Sequence, residues 1–576
     1  MFEVISRAGC GRTGKLSGEG WHISTPSILY MATERFPAPD FADSLIGIQE
    51  GQHLISVRGS KALQLSDYSG FPHNWKSGPE PVVLDNVCIL RPDSDPEKIF
   101  PLRSQVDLFI LENSIELYQS AKIFIDVLTR IREAIGYQTA LYLPGIALPN
   151  NVALLAYLGV DILDSSRAAY LSGQGYFLTQ DGNESPDIAR EFCPCTACSG
   201  KGDVYLHNML ALHSEVMRAR SRITNNGIRE LIEYRAKTSP KLVEMLRHLD
   251  MHYFPYQETR FPAVSSNFTA TTRLALGRPD IVRFRNRIIE RYRKPATPDI
   301  LVLLPCSAKK PYSSSKSHGF FAEAIAASNA GPRIHEVIVT SPLGLVPREL
   351  ELFYPAQHYD IPVTGHWFED EKLMINRLLK EYLKINNYTH IISHLGDPDL
   401  LEGIEAEITT EGGATSNESL NTLTKALAAY SGASVNWKNR SSQEIASMAA
   451  FQFGSEARKV FSGCAMAGRY PQLKVNKNKI QLATISNTNG MIVPTIDGAK
   501  LLADANIHVV RMADFEITGN LFAVGVEEAD PGIRVGDEVV IMRNGELAAS
   551  GTARMSGEEM TQSTRGEAVR TRHKSR

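Results

Sequence analysis

Two groups of residues in this 576-residue chain combine side chains able to do chemistry. The denser is the run Pro305-Cys306-Ser307-Ala308-Lys309-Lys310-Pro311-Tyr312-Ser313-Ser314-Ser315-Lys316-Ser317-His318. It brings a thiol, amines, hydroxyls and an imidazole together, too polar a mixture for core packing. It starts where the apolar run ILVLLP stops, and strand-end loops of open α/β sheets are where ligands bind. A loop that contacts phosphate is the plainer alternative. The second group is Cys193, Cys195 and Cys198, followed by His207. Three thiolates and an imidazole make a closed tetrahedral site, the arrangement zinc uses for structure, with no position left to activate water. His207 is favoured as fourth ligand over His213 because it lies nearer the cysteines in sequence. Seven cysteines in this length do not read as a disulfide framework, and their clustering in a reducing compartment points to metal.

The elements that must position these groups are partly readable. The chain is too long for one core, so three to five domains are expected. In the first half, ALYLP (140–144) and VDIL (160–163) read as buried parallel strands around the helix-like NVALLAYLG. That rhythm suits a β/α barrel over 1–290. Met209, Leu212, Val216 and Ile223 recur near helical spacing, which predicts a helical hairpin over 208–234. RYRKPATPD at 291–299 reads as a linker. Beyond it, ILVLLP, HEVIVTSP and THIISHLG are three buried strands, with the amphipathic DEKLMINRLLKEYLK before the third. This defines a second α/β domain over 297–430. Residues 409–425 are small and polar and read as a surface loop. In the final segment, LFAVGV, DEVVIM, ELAASGTARM and GEAVRTRH are short strands of a small β-barrel whose end carries Arg565, Arg570, Arg572 and Lys574. The net charge of −3 announces no global nucleic-acid surface, so an RNA-binding face must be local. No apolar run reaches the roughly eighteen residues a membrane helix needs, and the N-terminus has no apolar signal region. A cytoplasmic protein without a membrane partner is the expectation.

These residues carry a family resemblance. The CxCxxC–His cluster with its long following helix is similar to the zinc subdomain of tRNA-guanine transglycosylases, as are 143–179 and the stretch beginning HNMLALHSEVMRARS. The 305–318 run fits the PCxxxKPYxxSxxH signature of the archaeosine synthase branch without departure. The C-terminal stretches LFAVGVEEADPGIRVGDEVVI and RGEAVRTRH resemble a PUA domain. The resemblance implies a TIM-type β/α barrel with an inserted zinc subdomain, then the motif-bearing α/β domain, a small α+β pre-PUA domain at 441–498 and a PUA domain at 499–576. It also places Asp164, in DILDSS, at the position of the transglycosylase nucleophile, where β/α barrels carry catalytic groups. The alternative for Asp164 is a strand-end helix cap. The N-terminal Asp-Ser-Gly-aromatic-Gln segment of the base-exchange enzymes is not found; the corresponding region reads GSKALQLSDYSGFPHNW.

The resemblance further implies a reaction on tRNA that already carries 7-cyano-7-deazaguanine in its D-loop. An amine, from lysine or a glutamine-type donor, adds to the nitrile toward archaeosine's formamidine, and a radical-SAM partner protein completes the conversion. On this reading Cys306 adds as a thiolate to give a thioimidate, with Lys309, Lys310 and a helix N-terminus lowering its pKa. His318 or Tyr312 protonates the imide nitrogen, and Ser315 belongs to the same catalytic loop. Direct amine addition with Cys306 lining the pocket is the competing route. A homodimer is one expected assembly state. The rival functions are guanine exchange by a transglycosylase and a non-catalytic tRNA-binding subunit.

Overall fold

The computed structural model describes residues 1–49, 52–65, 78–199, 202–362, 367–431, 437–469 and 472–575. The chain forms two compact units, the first built mainly from 1–261 and the second mainly from 262–521 and 525–558. Part of the region that corresponds to the transglycosylase N-terminal acid segment, 66–77, lies outside the described residues.

In the first unit, a nine-stranded sheet has six parallel strands at its centre. They run in the order Ser44–Gln49, Ser27–Met31, Ile162–Asp164, Ala140–Tyr142, Leu108–Leu111, Val87–Leu90. The expected strands 140–144 and 160–163 sit side by side at its middle, joined by the helix Val152–Tyr157. Alternate strand residues (Val87 and Ile89, Leu108 and Ile110, Ala140 and Tyr142) point to one face. There they pack with Phe2, Leu16 and Ile23 of an N-terminal three-stranded antiparallel sheet. The parallel rhythm is therefore as expected, but the closed TIM-type barrel is not what the described residues form. Antiparallel strands, Gln52–Val57 and Ser60–Leu65 on one side and Val82–Leu84 on the other, occupy the two edges where further βα units would close a barrel. After the sheet come the helices Val204–Thr224 and Ile228–Ala236, the expected hairpin.

In the second unit, the three expected strands form one sheet in the order Gly344–Pro347, Ile334–Thr340, Ile300–Pro305, His390–Ser393, Glu407–Ile408, parallel except at the first pair. Ile300–Pro305 is uninterruptedly apolar because both its faces are covered, as central parallel strands require. Ile300, Val302 and Leu304 meet Phe321 and Ile325 on one side, while Leu301 and Leu303 meet Val337, Val339 and Leu379 on the other. Two sequence expectations fail here. The polar 409–425 stretch contains most of a helix, Asn417–Ala428, started by the Ser416 hydroxyl accepting from the Ser419 N–H. Its apolar stripe is only Leu420, Leu423 and Leu427, a narrow signal that still buries Leu423 and Leu427 completely. The 291–299 stretch is not a free linker, because Tyr292 is fully buried and its hydroxyl donates to Glu349 at 2.6 Å.

Beyond this sheet lies an antiparallel four-stranded one, Ala465–Arg469 to Ile492–Pro494. A last sheet runs Glu567–Lys574, Glu546–Ala553, Glu538–Arg543, Val509–Met512, Val526–Ala529. Val509–Met512, which pairs parallel with Glu538–Arg543, was not among the expected strands. Among the described residues no helix is long and apolar enough to cross a membrane.

Candidate functional site

The C-terminal ends of three neighbouring parallel strands in the second unit open into a cavity of about 490 Å³. Pro305 and Cys306 enter it from the end of Ile300–Pro305, Thr340 from the end of Ile334–Thr340, and Leu395 and Asp397 from the loop after His390–Ser393. Lys310, Tyr359 and Trp367 complete much of the wall. This is the strand-end crevice in which open parallel sheets place their ligands.

The motif run divides into residues that face this cavity and residues that hold the loop. Cys306, Ser307 and Lys310 line it. Lys309 is exposed and outside the lining. Tyr312 is fully buried, with its hydroxyl 2.7 Å from that of Tyr359. The Ser315 hydroxyl accepts from the His318 N–H at 3.3 Å and caps the helix Lys316–Ala327. His318 is 2% exposed, and its Nδ1 accepts a 2.9 Å bond from Arg348 Nη2. Burial and the Arg348 charge together push the His318 pKa down to about 3. His318 is not among the residues that line the cavity, where the sequence reading placed it as an acid. Arg348 also pairs with Glu336 at 2.6 Å and Glu351 at 2.9 Å, and Glu351 accepts from the Ser313 N–H at 3.0 Å. One guanidinium thus ties the motif loop to the adjoining hairpin.

Electrostatics in the cavity differ from expectation as well. Burial raises the Cys306 thiol above its ordinary value, outweighing the hydrogen bond from Thr340 and the charge of Lys310. Desolvation lowers the Lys310 ammonium, against Cys306 and Asp360. The lysine amine lies 4.1 Å from the centre of the Tyr359 ring. Asp397 is held by Lys372 at 2.9 Å. Thr340, Tyr359, Trp367 and Asp397 were missed as site residues, since they come from separate strand ends and only the fold collects them. For Thr340 and Asp397 the signal was a polar residue directly after an apolar run, in HEVIVT and HIISHLGD; Tyr359 and Trp367 carried none.

In the first unit, the Sγ atoms of Cys193, Cys195 and Cys198 and Nδ1 of His207 all lie within 4.8 Å of one another. The three sulfurs stand 3.3–3.5 Å from Nδ1. His207 Nε2 donates to the Leu178 carbonyl at 3.0 Å, which leaves the Nδ1 lone pair facing the sulfurs. This set fits a tetrahedral metal ion. His213 is elsewhere engaged, with Nδ1 3.0 Å from the Tyr30 hydroxyl.

Asp164 ends its strand as expected, but its carboxylate is 2% exposed and fully bonded. Oδ2 accepts from the Tyr142 hydroxyl and the Gly145 N–H, both at 2.8 Å. Oδ1 accepts from the Ser166 N–H at 2.9 Å and from the Ser166 hydroxyl, at the start of the helix Ser166–Gly173. Asp164 thus precedes the helix N-cap, Ser165, and its carboxylate holds the strand end to the first helical residue. Of the basic residues, Arg565, Arg570 and Lys574 are exposed, and Arg570 is 3.1 Å from Glu567. Arg572 is committed to the buried Glu538.

Comparisons with known proteins define the class first. Residues 102–241 match the family described as queuine tRNA-ribosyltransferase, and 443–507 match the patch-forming domain C2 of tRNA-guanine transglycosylase. Residues 512–574 match the PUA domain, and 281–427, which hold the cavity motif, match a family described only as a domain of unknown function. This is the composition of a tRNA-modifying transferase. The chain is 37% identical over 501 residues to archaeosine synthase subunit alpha of Methanosarcina acetivorans, covering 81% of this chain and 79% of that one. It is 34% identical over 615 aligned positions to archaeosine synthase of Haloferax volcanii, covering 99% of each. The tRNA-guanine(15) transglycosylase of Methanococcus maripaludis is 24% identical, over 73% of this chain and 63% of that one. The chain belongs to the archaeosine synthase family.

Proposed function

We propose that this chain acts in archaeosine formation on tRNA carrying 7-cyano-7-deazaguanine in its D-loop, adding an amine, lysine in preference to a glutamine-type donor, to the nitrile. The observation that carries this reading is the cavity pairing of a thiol, Cys306, with an amine of lowered pKa, Lys310, between the ring walls of Tyr359 and Trp367. The Cys306 thiolate adds to the nitrile carbon, forming a C–S bond, and the displaced π pair on nitrogen takes a proton from Lys310. The incoming amine adds to this thioimidate carbon, the C–S bond breaks, and the thiolate leaves an amidine. A lysine with lowered pKa can start as the free amine, take the thiol proton as sulfur adds and pass it to the nitrile nitrogen. It then takes the proton shed by the incoming amine and returns it to the departing thiolate, which suits the acid–base role first assigned to His318 or Tyr312. The roles of Ser315 and His318 are then to hold the loop.

The Cys193–His207 set is proposed to hold structural zinc, because it has four ligands and closed geometry. Arg565, Arg570 and Lys574 are proposed tRNA contacts, and the cytoplasm is the proposed location. The Methanosarcina relative is named a subunit, which supports a partner that completes the conversion, proposed as a radical-SAM protein. Base exchange at Asp164 is disfavoured by the four hydrogen bonds that occupy its carboxylate. The test is mass spectrometry of nucleosides from cyano-base tRNA incubated with this protein and lysine. An amidine adduct supports the reading. An unchanged nitrile supports a tRNA-binding subunit, and release of labelled guanine from unmodified tRNA supports a transglycosylase.

A further inference from the structure

We infer that Thr340, Tyr359 and Tyr312 form a buried hydroxyl cluster whose purpose is to donate a hydrogen bond to the Cys306 sulfur when it ionises. The inference rests on the reading of Cys306 as a nucleophile. It accounts for a feature that reading leaves open: why a tyrosine of the motif is sealed away from the cavity. The Tyr312 hydroxyl is 2.7 Å from that of Tyr359, which is 2.7 Å from Thr340 Oγ1. Both tyrosines are at least 97% buried. Thr340 follows Val339, the register partner of Pro305, so its hydroxyl and the Cys306 thiol emerge from adjacent strand ends into one cavity.

The direction of donation follows from the acceptors within reach. Three hydroxyl protons are present, and beyond the cluster's own oxygens Thr340 has the Ser341 carbonyl at 3.2 Å and, lining the same cavity, the Cys306 sulfur. With the thiol protonated, the Thr340 proton points to Ser341. When sulfur becomes anionic, the hydroxyl rotor turns to it, because a bond to a charged acceptor is about twice as strong. The Thr340 oxygen meanwhile accepts from Tyr359, which accepts from Tyr312, so each donor is polarised by the one behind it. Thr340, Tyr359 and Tyr312 are therefore positioning residues for the sulfur, set against a burial that otherwise disfavours the anion. The other charged groups here are Lys310, which faces Cys306, Asp360, which faces Lys310, and Asp397 on the cavity wall, paired with Lys372.

The test is the pH dependence of Cys306 alkylation by iodoacetamide in the full-length, metal-loaded protein, read on the Cys306 peptide by mass spectrometry. Thr340→Val should move the midpoint up by about one pH unit, the scale of one hydrogen bond to an anion. Thr340→Ser, which restores the hydroxyl, should return it to the wild-type position. Tyr359→Phe and Tyr312→Phe should move it in the same direction by less, in that order. An unmoved midpoint in Thr340→Val, or a Thr340→Ser shift as large as that of Thr340→Val, overturns the inference. Should Thr340→Val fail to fold, an unmoved midpoint in Tyr359→Phe overturns it equally. Alkylation needs neither tRNA nor amine, so an active Cys306→Ala protein would remove the proposed function without touching this result.

Discussion

Cys306 and His318 lie twelve positions apart in one motif, yet one faces the cavity and the other is sealed beneath the loop. Their substitutions should therefore fail in different ways. Cys306→Ala should abolish the amidine product while leaving tRNA affinity and metal content unchanged, measured by nucleoside mass spectrometry, filter binding and elemental analysis. Asp164→Asn should cost stability through a weakened buried network, about 1–3 kcal/mol, and leave most of the product yield. If Asp164→Asn abolished product and Cys306→Ala did not, the chemistry would belong to the first unit. His318 makes a pH prediction. Its folded pKa, about 3, lies below the ordinary histidine value of 6.5, so the unfolded chain binds more protons between those limits. The stability that neutral His318 contributes is fully present above about pH 6.5 and is lost as the pH falls toward 3. His318→Asn keeps an acceptor for Arg348 at the Nδ1 position without a titrating ring. It should flatten the acid-side slope of the thermal midpoint over that window, and an identical slope in both proteins would remove His318 as its source.

At the scale of elements, the metal-ligand loop and the helix Val204–Thr224 depend on each other. His207 sits in the first turns of that helix, and the Asp203 carboxylate caps it by accepting from the Leu206 N–H at 3.0 Å. The cysteines come from a loop with little buried apolar surface, with Cys193, Cys195 and Cys198 all half-buried, so a bound ion must supply what packing does not. Chelation, or Cys195→Ser, should therefore lower the thermal midpoint of the first unit while leaving Cys306 alkylation in the second unchanged. Equal melting of apo- and metal-loaded protein would rule out a structural ion. This site was legible in the sequence because its ligands are close neighbours along the chain. The parallel strands were legible because burial on both faces leaves long apolar runs. The cavity was only half legible: Cys306 and Lys310 stand in one motif, whereas Thr340, Tyr359 and Asp397 are collected from later segments by strand order alone. Asn417–Ala428 escaped notice because three leucines among polar residues make a stripe too narrow to stand out from a loop.

On the scale of the whole molecule, the proposed function is divided between the cavity of the second unit and the basic strand near the C-terminus. The strand Glu567–Lys574 carries Arg570, Arg572 and Lys574 at every second position, but a bulge at Arg572 sets Arg570, opposite Thr552, and Lys574, opposite Ala549, on different faces of the sheet. Glu538, itself buried, claims Arg572, whereas Arg570 is held by the surface carboxylate of Glu567 and Lys574 by the Thr518 carbonyl, partners that phosphate oxygens can replace at lower cost. Deleting everything from 499 onward is a poor test of this strand. Leu502, Val509 and Val540 belong to the same buried cluster as Val475 and Ile485 of the preceding sheet, so the cut would expose a core and confuse folding with binding. Charge removal on the intact chain is cleaner. Arg570→Ala with Lys574→Ala should weaken tRNA binding and reduce the slope of log affinity against log salt by roughly 0.7–0.9 for each phosphate that is no longer neutralised. The rate of Cys306 alkylation should not change, because the sulfur senses only its own cavity. Product yield should fall at low tRNA concentration and recover at saturation, as expected when positioning and chemistry reside in separate parts. An unchanged salt slope in the double variant would show that the strand does not touch the RNA backbone. A loss of product that persisted at saturating tRNA would mean that it also orients the modified base at the cavity.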